Sequence, residues 1–193
     1  MSFEATEGGA NPSSQTLQVK NSGGGTLSYS ITDNATWLSV SPTSGTSTGN
    51  TNNHTVSVNI SGLSAGTYNA TITITASGAT NSPQTVQVSL TVNPTAGNLS
   101  VTPLNGLSSS GYVGGPFSPS SKTYTLENTG GSSINWTASK TQNWVSLSST
   151  GGTLSPGAST TVTVSINSNA NSLSEGTYTD TVSFTNTTNG NGN

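Results

Sequence analysis

Apolar residues alternate with Ser, Thr and Asn along most of this chain. Leu27, Tyr29 and Ile31 share one side of a segment, as do Val56, Val58 and Ile60, and Tyr68, Ala70, Ile72 and Ile74. A period of two with one polar face predicts antiparallel strands packed on a single core. Clusters of Gly, Asn and Pro at intervals of about 8–12 residues supply the turns between them. In the first half the pattern predicts seven strands, near residues 2–5, 15–20, 26–32, 37–41, 55–60, 67–75 and 84–92. Helical periodicity is absent, and Thr, Val and Ser stand where a helix would favour Ala, Leu, Glu and Lys. The pattern is all-β.

The same pattern occurs twice. Thr16-Leu17-Gln18-Val19-Lys20-Asn21-Ser22-Gly23-Gly24 matches Thr123-Tyr124-Thr125-Leu126-Glu127-Asn128-Thr129-Gly130-Gly131. Trp37-Leu38-Ser39-Val40 matches Trp144-Val145-Ser146-Leu147, and the segments beginning at Thr55 and Leu63 match those at Thr161 and Leu173. Matches in one order at a nearly constant offset predict two homologous domains, 1–93 and 99–193, joined by a linker at 94–98. Pro94 denies that linker a backbone donor, so a semi-rigid, end-to-end arrangement is expected.

Each copy carries Leu-x-x-Gly-x-Tyr, at Leu63–Tyr68 and Leu173–Tyr178. This spacing suits a tyrosine corner, in which Gly allows a tight turn, the ring enters the core and the hydroxyl returns to the backbone upstream. Together with the Asn21–Gly25 and Asn128–Gly131 turns, Trp37-Leu38-Ser39-Val40-Ser41-Pro42, Ser44-Gly45, Asn143–Leu147, Ala65–Tyr68 and Glu175–Tyr178, these motifs resemble the BACON family of immunoglobulin-like modules. The resemblance covers nearly the whole chain. It implies two tandem immunoglobulin-like antiparallel β-sandwich domains on bacterial extracellular proteins, with a role in carbohydrate or mucin binding or as spacers.

The second copy stops early. After Val182-Ser183-Phe184-Thr185 and the turn Asn189-Gly190-Asn191-Gly192, nothing corresponds to Gln84–Val92 of the first copy. The second sandwich is therefore expected to lack its last strand, leaving an open edge at Val182 and Phe184. Either the sequence is cut short here or the strand is supplied from elsewhere; filling by a neighbouring chain or a rearranged segment is expected, with Ser2-Phe3-Glu4-Ala5 of a neighbour as the unclaimed donor. The terminal Asn/Gly tail should be disordered if free.

Composition narrows the chemistry. Ser, Thr and Asn supply 93 of 193 residues, charged residues are only 5%, and the net charge is −3. Three Lys and no Arg cannot build a phosphate-neutralising surface, so nucleic acid is not an expected partner. Apolar runs are only a few residues long, so no membrane insertion is expected. No basic segment followed by an apolar run opens the chain. The absence of Cys excludes disulfides and thiolate metal sites. The hydroxyl-rich, charge-poor surface favours an extracellular or cell-surface setting. Seven Asn-x-Ser/Thr sequons match the roughly eight that 22 Asn and 71 hydroxyl residues produce by chance.

Catalysis would require a base and a partner within hydrogen-bond reach. The single His, His54, lies in the polar run Gly49–His54 and reads as a solvated loop residue. Glu4 and Glu7 sit on an exposed N-terminal stretch with no counterpart in the second copy. No catalytic, metal or cofactor residues are therefore assigned. Tyr29 and Trp136 align on the apolar side of their strands and read as core. Trp37 and Trp144 align too, but alternate opposite to Leu38/Val40 and Val145/Leu147. Either they face outward as candidate carbohydrate-stacking platforms, or the strand bends and they lid one end of the sandwich. Tyr112 and Phe117 occupy an insertion of about nine residues, Gly111–Pro119, as a ligand loop or as packing at the interdomain joint.

These readings converge on a non-catalytic extracellular tandem module, acting as a spacer or a weak carbohydrate-binding element, with glycans or copies of itself as partners. The alternative is a subunit of a surface filament assembled by strand exchange.

Overall fold

Alternation along the sequence becomes alternation across sheets in the computed structural model, which describes residues 1–193 as two units, Met1–Pro94 and Thr95–Asn193. The first unit contains β1 (Ser2–Thr6), β2 (Gln15–Lys20), β3 (Leu27–Asp33), β4 (Leu38–Ser41), β5 (Ser44–Ser47), β6 (Thr51–Val58), β7 (Gly66–Thr75) and β8 (Gln84–Asn93). They form a five-stranded sheet, β1-β8-β7-β3-β5, and a three-stranded sheet, β2-β6-β4. Their inward residues, among them Val56, Ile72 and Leu90, are inaccessible to solvent and share one core. This is an immunoglobulin-like sandwich of the kind expected.

Three expectations for this unit change. An eighth strand, β5, pairs with β3 although its sequence, Ser-Gly-Thr-Ser, has no apolar pattern. Its Gly45 lies opposite Tyr29, and a Cβ there would collide with the phenol ring. Gly at this position lets an aromatic residue lie across its neighbour strand. Second, β1 pairs with β8 in parallel, not antiparallel, with Phe3 opposite Leu90 and 5% exposed. The Met1 ammonium also donates to the Gln87 carbonyl at 2.7 Å. The N-terminal segment is thus claimed by its own sheet and is no free donor for a neighbour.

Third, His54 is not a solvated loop residue. It lies within β6 and is only 1% exposed. Residues 54, 56 and 58 share the inward face of one strand, so a side chain two residues before Val56 must enter the core. The Pro42 carbonyl, 2.6 Å from Nδ1, can only accept, so Nδ1 carries the proton and Nε2 accepts from the Tyr29 hydroxyl at 2.8 Å. The Tyr29 oxygen in turn accepts from Asn52 Nδ2 at 2.9 Å. The network is closed and buried.

The second unit contains β9 (Leu99–Thr102), β10 (Ser110–Gly111), β11 (Phe117–Ser118), β12 (Ser121–Asn128), β13 (Ile134–Ser139), β14 (Val145–Leu147), β15 (Gly151–Leu154), β16 (Ser159–Ile166) and β17 (Ser183–Asn186), with a 3₁₀ turn at Ser168–Ser172. Its sheets are β14-β16-β12-β9 and β15-β13-β17, with a separate hairpin β10-β11. Trp136 lies opposite Gly152 as Tyr29 lies opposite Gly45, and both aromatics are buried. No strand corresponds to β8.

That difference reorganises the unit. In the first unit β3 pairs only with Ile72–Thr75 of β7, whereas β8 pairs with Gly66–Ile74. The stretch Gly66–Thr71 therefore has β8 as its sole partner. In the second unit the equivalent of β7 is strand only over Ser183–Asn186, where β13 pairs with it, and residues 176–182 are coil. A strand without a neighbour cannot satisfy its backbone by pairing and loses its regular form. The first strand also changes sheets. With no β8 to receive it, β9 pairs antiparallel with β12, Leu99 opposite Asn128, and Leu99 is 2% exposed.

The Asn/Gly tail is not free: it is bonded to β17 and to the start of the unit. Asn186 is buried and donates to the Asn191 carbonyl and the Asn189 side chain. The Leu99 amide donates to the Asn191 carbonyl at 3.1 Å, and Asn189 donates to the Gly97 carbonyl at 2.9 Å. Gly192 has φ +83 and passes so close to Leu99 that a Cβ would clash with its backbone. Amide side chains thus do the work of a missing strand partner at this end of β17.

His54→Ala is expected to destabilise the first unit by about 2–4 kcal/mol, because the Pro42 carbonyl and Tyr29 hydroxyl lose partners in a packed core. Thermal unfolding should show one transition shifted down and the transition of the second unit unmoved; no shift in either would refute the buried network.

Candidate functional site

The residues singled out in the sequence fall into two structural settings. Trp37 and Trp144 each precede the first residue of a short strand, in the turns leading to β4 and β14. Being outside the regular strand, they are freed from its alternation. Trp37 is half-buried against the first core and meets Tyr68 edge to face, with ring centroids 6.4 Å apart. Trp144 is half-buried against the second core. Each indole lies against its own core while part of its surface stays accessible.

The two corner tyrosines differ. Tyr68 is half-buried and its hydroxyl donates to the Ser64 carbonyl at 2.8 Å. Tyr178 makes the same link to the Ser174 carbonyl at 3.2 Å, yet it is 44% exposed, so its ring does not enter the core. The reason is the missing neighbour strand: Tyr68 lies opposite Leu90 of β8, and Tyr178 has no such partner.

A second setting is the open flank of the second unit. A cavity of about 510 Å³ opens between the coil 176–182 and the insertion, lined by Leu107, Phe117, Tyr124, Trp144, Val164 and Val182. Val182 and Phe184, expected at an open edge, are half-buried, and Phe184 lies 5.6 Å from Tyr124 between ring centroids. Phe117 faces this cavity, whereas Tyr112 is 85% exposed. The Tyr124 hydroxyl donates to the Asn105 carbonyl at 3.2 Å, and Lys122 donates to the Gly106 carbonyl at 3.0 Å. These bonds tie the segment just before the insertion to β12. Burial pushes the Tyr124 hydroxyl pKa above its ordinary value.

Sequence reasoning missed Asp180. It stands where the first copy has Ala70, two residues after the corner tyrosine. Its carboxylate accepts from the Thr141 amide at 3.0 Å, the Thr141 hydroxyl at 2.5 Å, the Gln142 amide at 3.1 Å and the Thr181 amide at 2.8 Å. Burial pushes the carboxyl up, but those four donors outweigh it and hold the pKa below the ordinary carboxylate value. Asp180 is the clip that holds the unpaired segment to the loop after β13. The only signal in the sequence was an acid at a position that should be apolar.

No group of three or more His, Asp or Glu side chains gathers as a metal site. The Asn of each Asn-x-Gly turn is structural. Asn128 is wholly buried and accepts from the amides of Asn98 and Gly130 while donating to the carbonyls of Ser132 and Leu154.

A family model described as viral BACON domain matches residues 1–93 and 117–192. No curated protein matches the chain in sequence. Among solved structures, the CsuC–CsuE chaperone–tip adhesion subunit complex of Acinetobacter baumannii is 10% identical, covering 86% of this chain and 84% of that one at a TM-score of 0.38. The CupB2 chaperone of Pseudomonas aeruginosa is 9% identical, covering 83% and 84% at 0.37. The D00–D0 domain of intimin is 16% identical, covering 86% and 83% at 0.36.

Two predictions follow from this geometry. Tyr68→Phe should cost the first unit about 1 kcal/mol, the net value of one hydrogen bond, and Tyr178→Phe should cost the second unit less because its ring is exposed. Equal shifts on calorimetry would contradict that asymmetry. Asp180→Asn should destabilise the second unit at neutral pH. Because the folded-state pKa is depressed, the stabilisation is present above the unfolded carboxylate value and disappears as the pH falls through the folded one. Unfolding of wild type and variant should therefore differ at pH 7 and converge in strong acid; a constant difference would refute the clip.

Proposed function

Because this chain belongs to the viral BACON domain family, matched over both of its units, we propose that it serves as a non-catalytic structural spacer displayed on the exterior of a particle or cell. The observation that carries this reading is the use each unit makes of its chemistry-bearing side chains. His54 is closed into a hydrogen-bond network inside the first core, and Asp180 is engaged with backbone and hydroxyl donors. Both corner tyrosines bond to backbone carbonyls. These groups hold the fold: Tyr178 and Asp180 line the 510 Å³ cavity of the second unit, but each is engaged there with partners of its own unit. A surface rich in hydroxyls and amides and poor in charge supports an exterior setting.

Weak carbohydrate binding is the second reading, favoured by one observation. Trp37 and Trp144 occupy equivalent corners of the two units, each with part of its indole accessible. A partly exposed aromatic face can stack on the apolar face of a sugar ring. A filament of identical chains exchanging N-terminal strands has less support, because β1 is held by β8.

Titration of the intact chain with mucin and with soluble polysaccharides, followed by Trp fluorescence and by assay of released reducing ends, separates these readings. The spacer reading expects neither saturable quenching nor release. Saturable quenching that is lost in Trp37→Ala or Trp144→Ala would replace it with carbohydrate binding, and release of reducing ends would overturn the non-catalytic assignment.

A further inference from the structure

Three Asn-Gly pairs occur in the chain, Asn105-Gly106, Asn189-Gly190 and Asn191-Gly192, all in the second unit. Asn followed by Gly carries its own chemistry. The side-chain amide carbon is an electrophile, and the next backbone nitrogen, unhindered by a Cβ, can reach it. The three pairs are held differently. At Asn189, Oδ1 accepts from the Asn186 side chain and the Asn191 amide, and Nδ2 donates to the Gly97 carbonyl. Its nucleophile is engaged as well, because the Gly190 amide donates to the Asn186 carbonyl at 3.2 Å. Asn191 is pinned through its main chain: the amide donates to Asn189, the carbonyl accepts from Leu99, and Gly192 is wedged against Leu99. At Asn105 both reacting groups are free. Residues 105 and 106 are exposed, Asn105 is bonded only through its main-chain carbonyl, and the Gly106 amide has no acceptor in the protein.

The bonds that this pair does make favour the same reaction. The peptide joining Asn105 to Gly106 has its carbonyl on Asn105, and that oxygen accepts from the Tyr124 hydroxyl at 3.2 Å. When the Gly106 nitrogen gives up its proton, negative charge spreads onto this oxygen, where a buried phenol already donates. Lys122 Nζ, 3.0 Å from the Gly106 carbonyl oxygen, adds a positive charge on the same residue. We propose that Asn105 is a self-modification site, deamidated by attack of the Gly106 nitrogen on its Cγ, with Tyr124 and Lys122 stabilising the attacking amidate. The new N–Cγ bond closes a cyclic imide and the Cγ–Nδ2 bond breaks. The proton lost by Gly106 balances the one gained by the departing amide, which leaves as ammonia. Water then opens the imide. Attack at Cγ leaves aspartate. Attack at the main-chain carbonyl leaves isoaspartate, and the oxygen that Tyr124 held becomes part of a free carboxylate. Either product adds one negative charge to a chain whose net charge is −3. Isoaspartate also lengthens the main chain by one methylene between the carbonyls that Tyr124 and Lys122 hold, which loosens the segment before the insertion. This chemistry is independent of the spacer reading.

The intact chain is warmed at mildly alkaline pH and each Asn-Gly pair is followed by peptide mass spectrometry, with isoaspartyl methyltransferase labelling as a second readout. Conversion at Asn105 should run about tenfold or more ahead of Asn189 and Asn191, which react only when their bonds open. Tyr124→Phe, which keeps the ring and removes the donor, should slow conversion about threefold to tenfold. Lys122→Gln should slow it in dilute buffer but not in high salt, where the charge is screened. Gly106→Ala checks the nucleophile without disturbing the fold, because Gly106 has no positive φ and no atom within 4 Å of a Cβ. It should slow conversion about tenfold by crowding the attacking nitrogen. Leading conversion at Asn189 or Asn191 would overturn the proposal. So would an unchanged or faster rate in dilute buffer in any of the three variants, the result expected if Tyr124 and Lys122 only restrained the loop.

Discussion

Backbone pairing along the outer edge of one strand governs the architecture of both units. In the first unit that edge is occupied: β8 lies along nearly the whole of β7 and in turn offers its far side to β1. Three consequences follow from this one contact. β7 stays regular for ten residues, the corner tyrosine is pressed against Leu90, and the N-terminal segment finds a parallel partner. In the second unit the contact is absent, and each consequence reverses. The strand shrinks to the four residues that β13 pairs, Tyr178 turns out toward solvent, and the first strand moves to β12. Unpaired backbone is costly away from water, so losing one neighbour propagates through every element that depended on it.

The second unit meets that loss with polar side chains. Asp180 gathers donors from the loop after β13, and Asn186, Asn189 and Asn191 knit the end of β17 to the start of β9. The segment just before the insertion is tied to β12 through Tyr124 and Lys122. Each of these bonds is modest in net value, but each also satisfies a group that would otherwise lack a partner. The result is a flank whose apolar interior is incompletely covered.

The same reasoning relates site to function. The one histidine is buried in the first core, while Tyr124, Tyr178 and Asp180 line the cavity of the second unit. Both units set an aromatic residue opposite a glycine, Tyr29 over Gly45 and Trp136 over Gly152, and only in the first is that aromatic bonded to His54 and Asn52. The two solutions fill equivalent places with different chemistry, as expected where only packing constrains the residues.

The sequence by itself determined the all-β class, the two copies of one pattern and the core positions of Tyr29 and Trp136. These are legible because a strand's period of two forces every other residue inward. His54 was legible in principle, since it shares the parity of Val56 and Val58, but its polar neighbours concealed the strand. Other features were decided only by tertiary structure. Ser44–Ser47 is a strand because Gly45 lets Tyr29 lie across it, and nothing local in Ser-Gly-Thr-Ser says so. The sheet that receives each first strand depends on which edge is free, the exposure of Tyr178 goes with the lack of a strand opposite it, and the role of Asp180 depends on Thr141 and Gln142, 39 and 38 residues away along the chain. Local sequence sets which face of a strand is apolar; which edges meet is settled only when the whole sheet competes for partners.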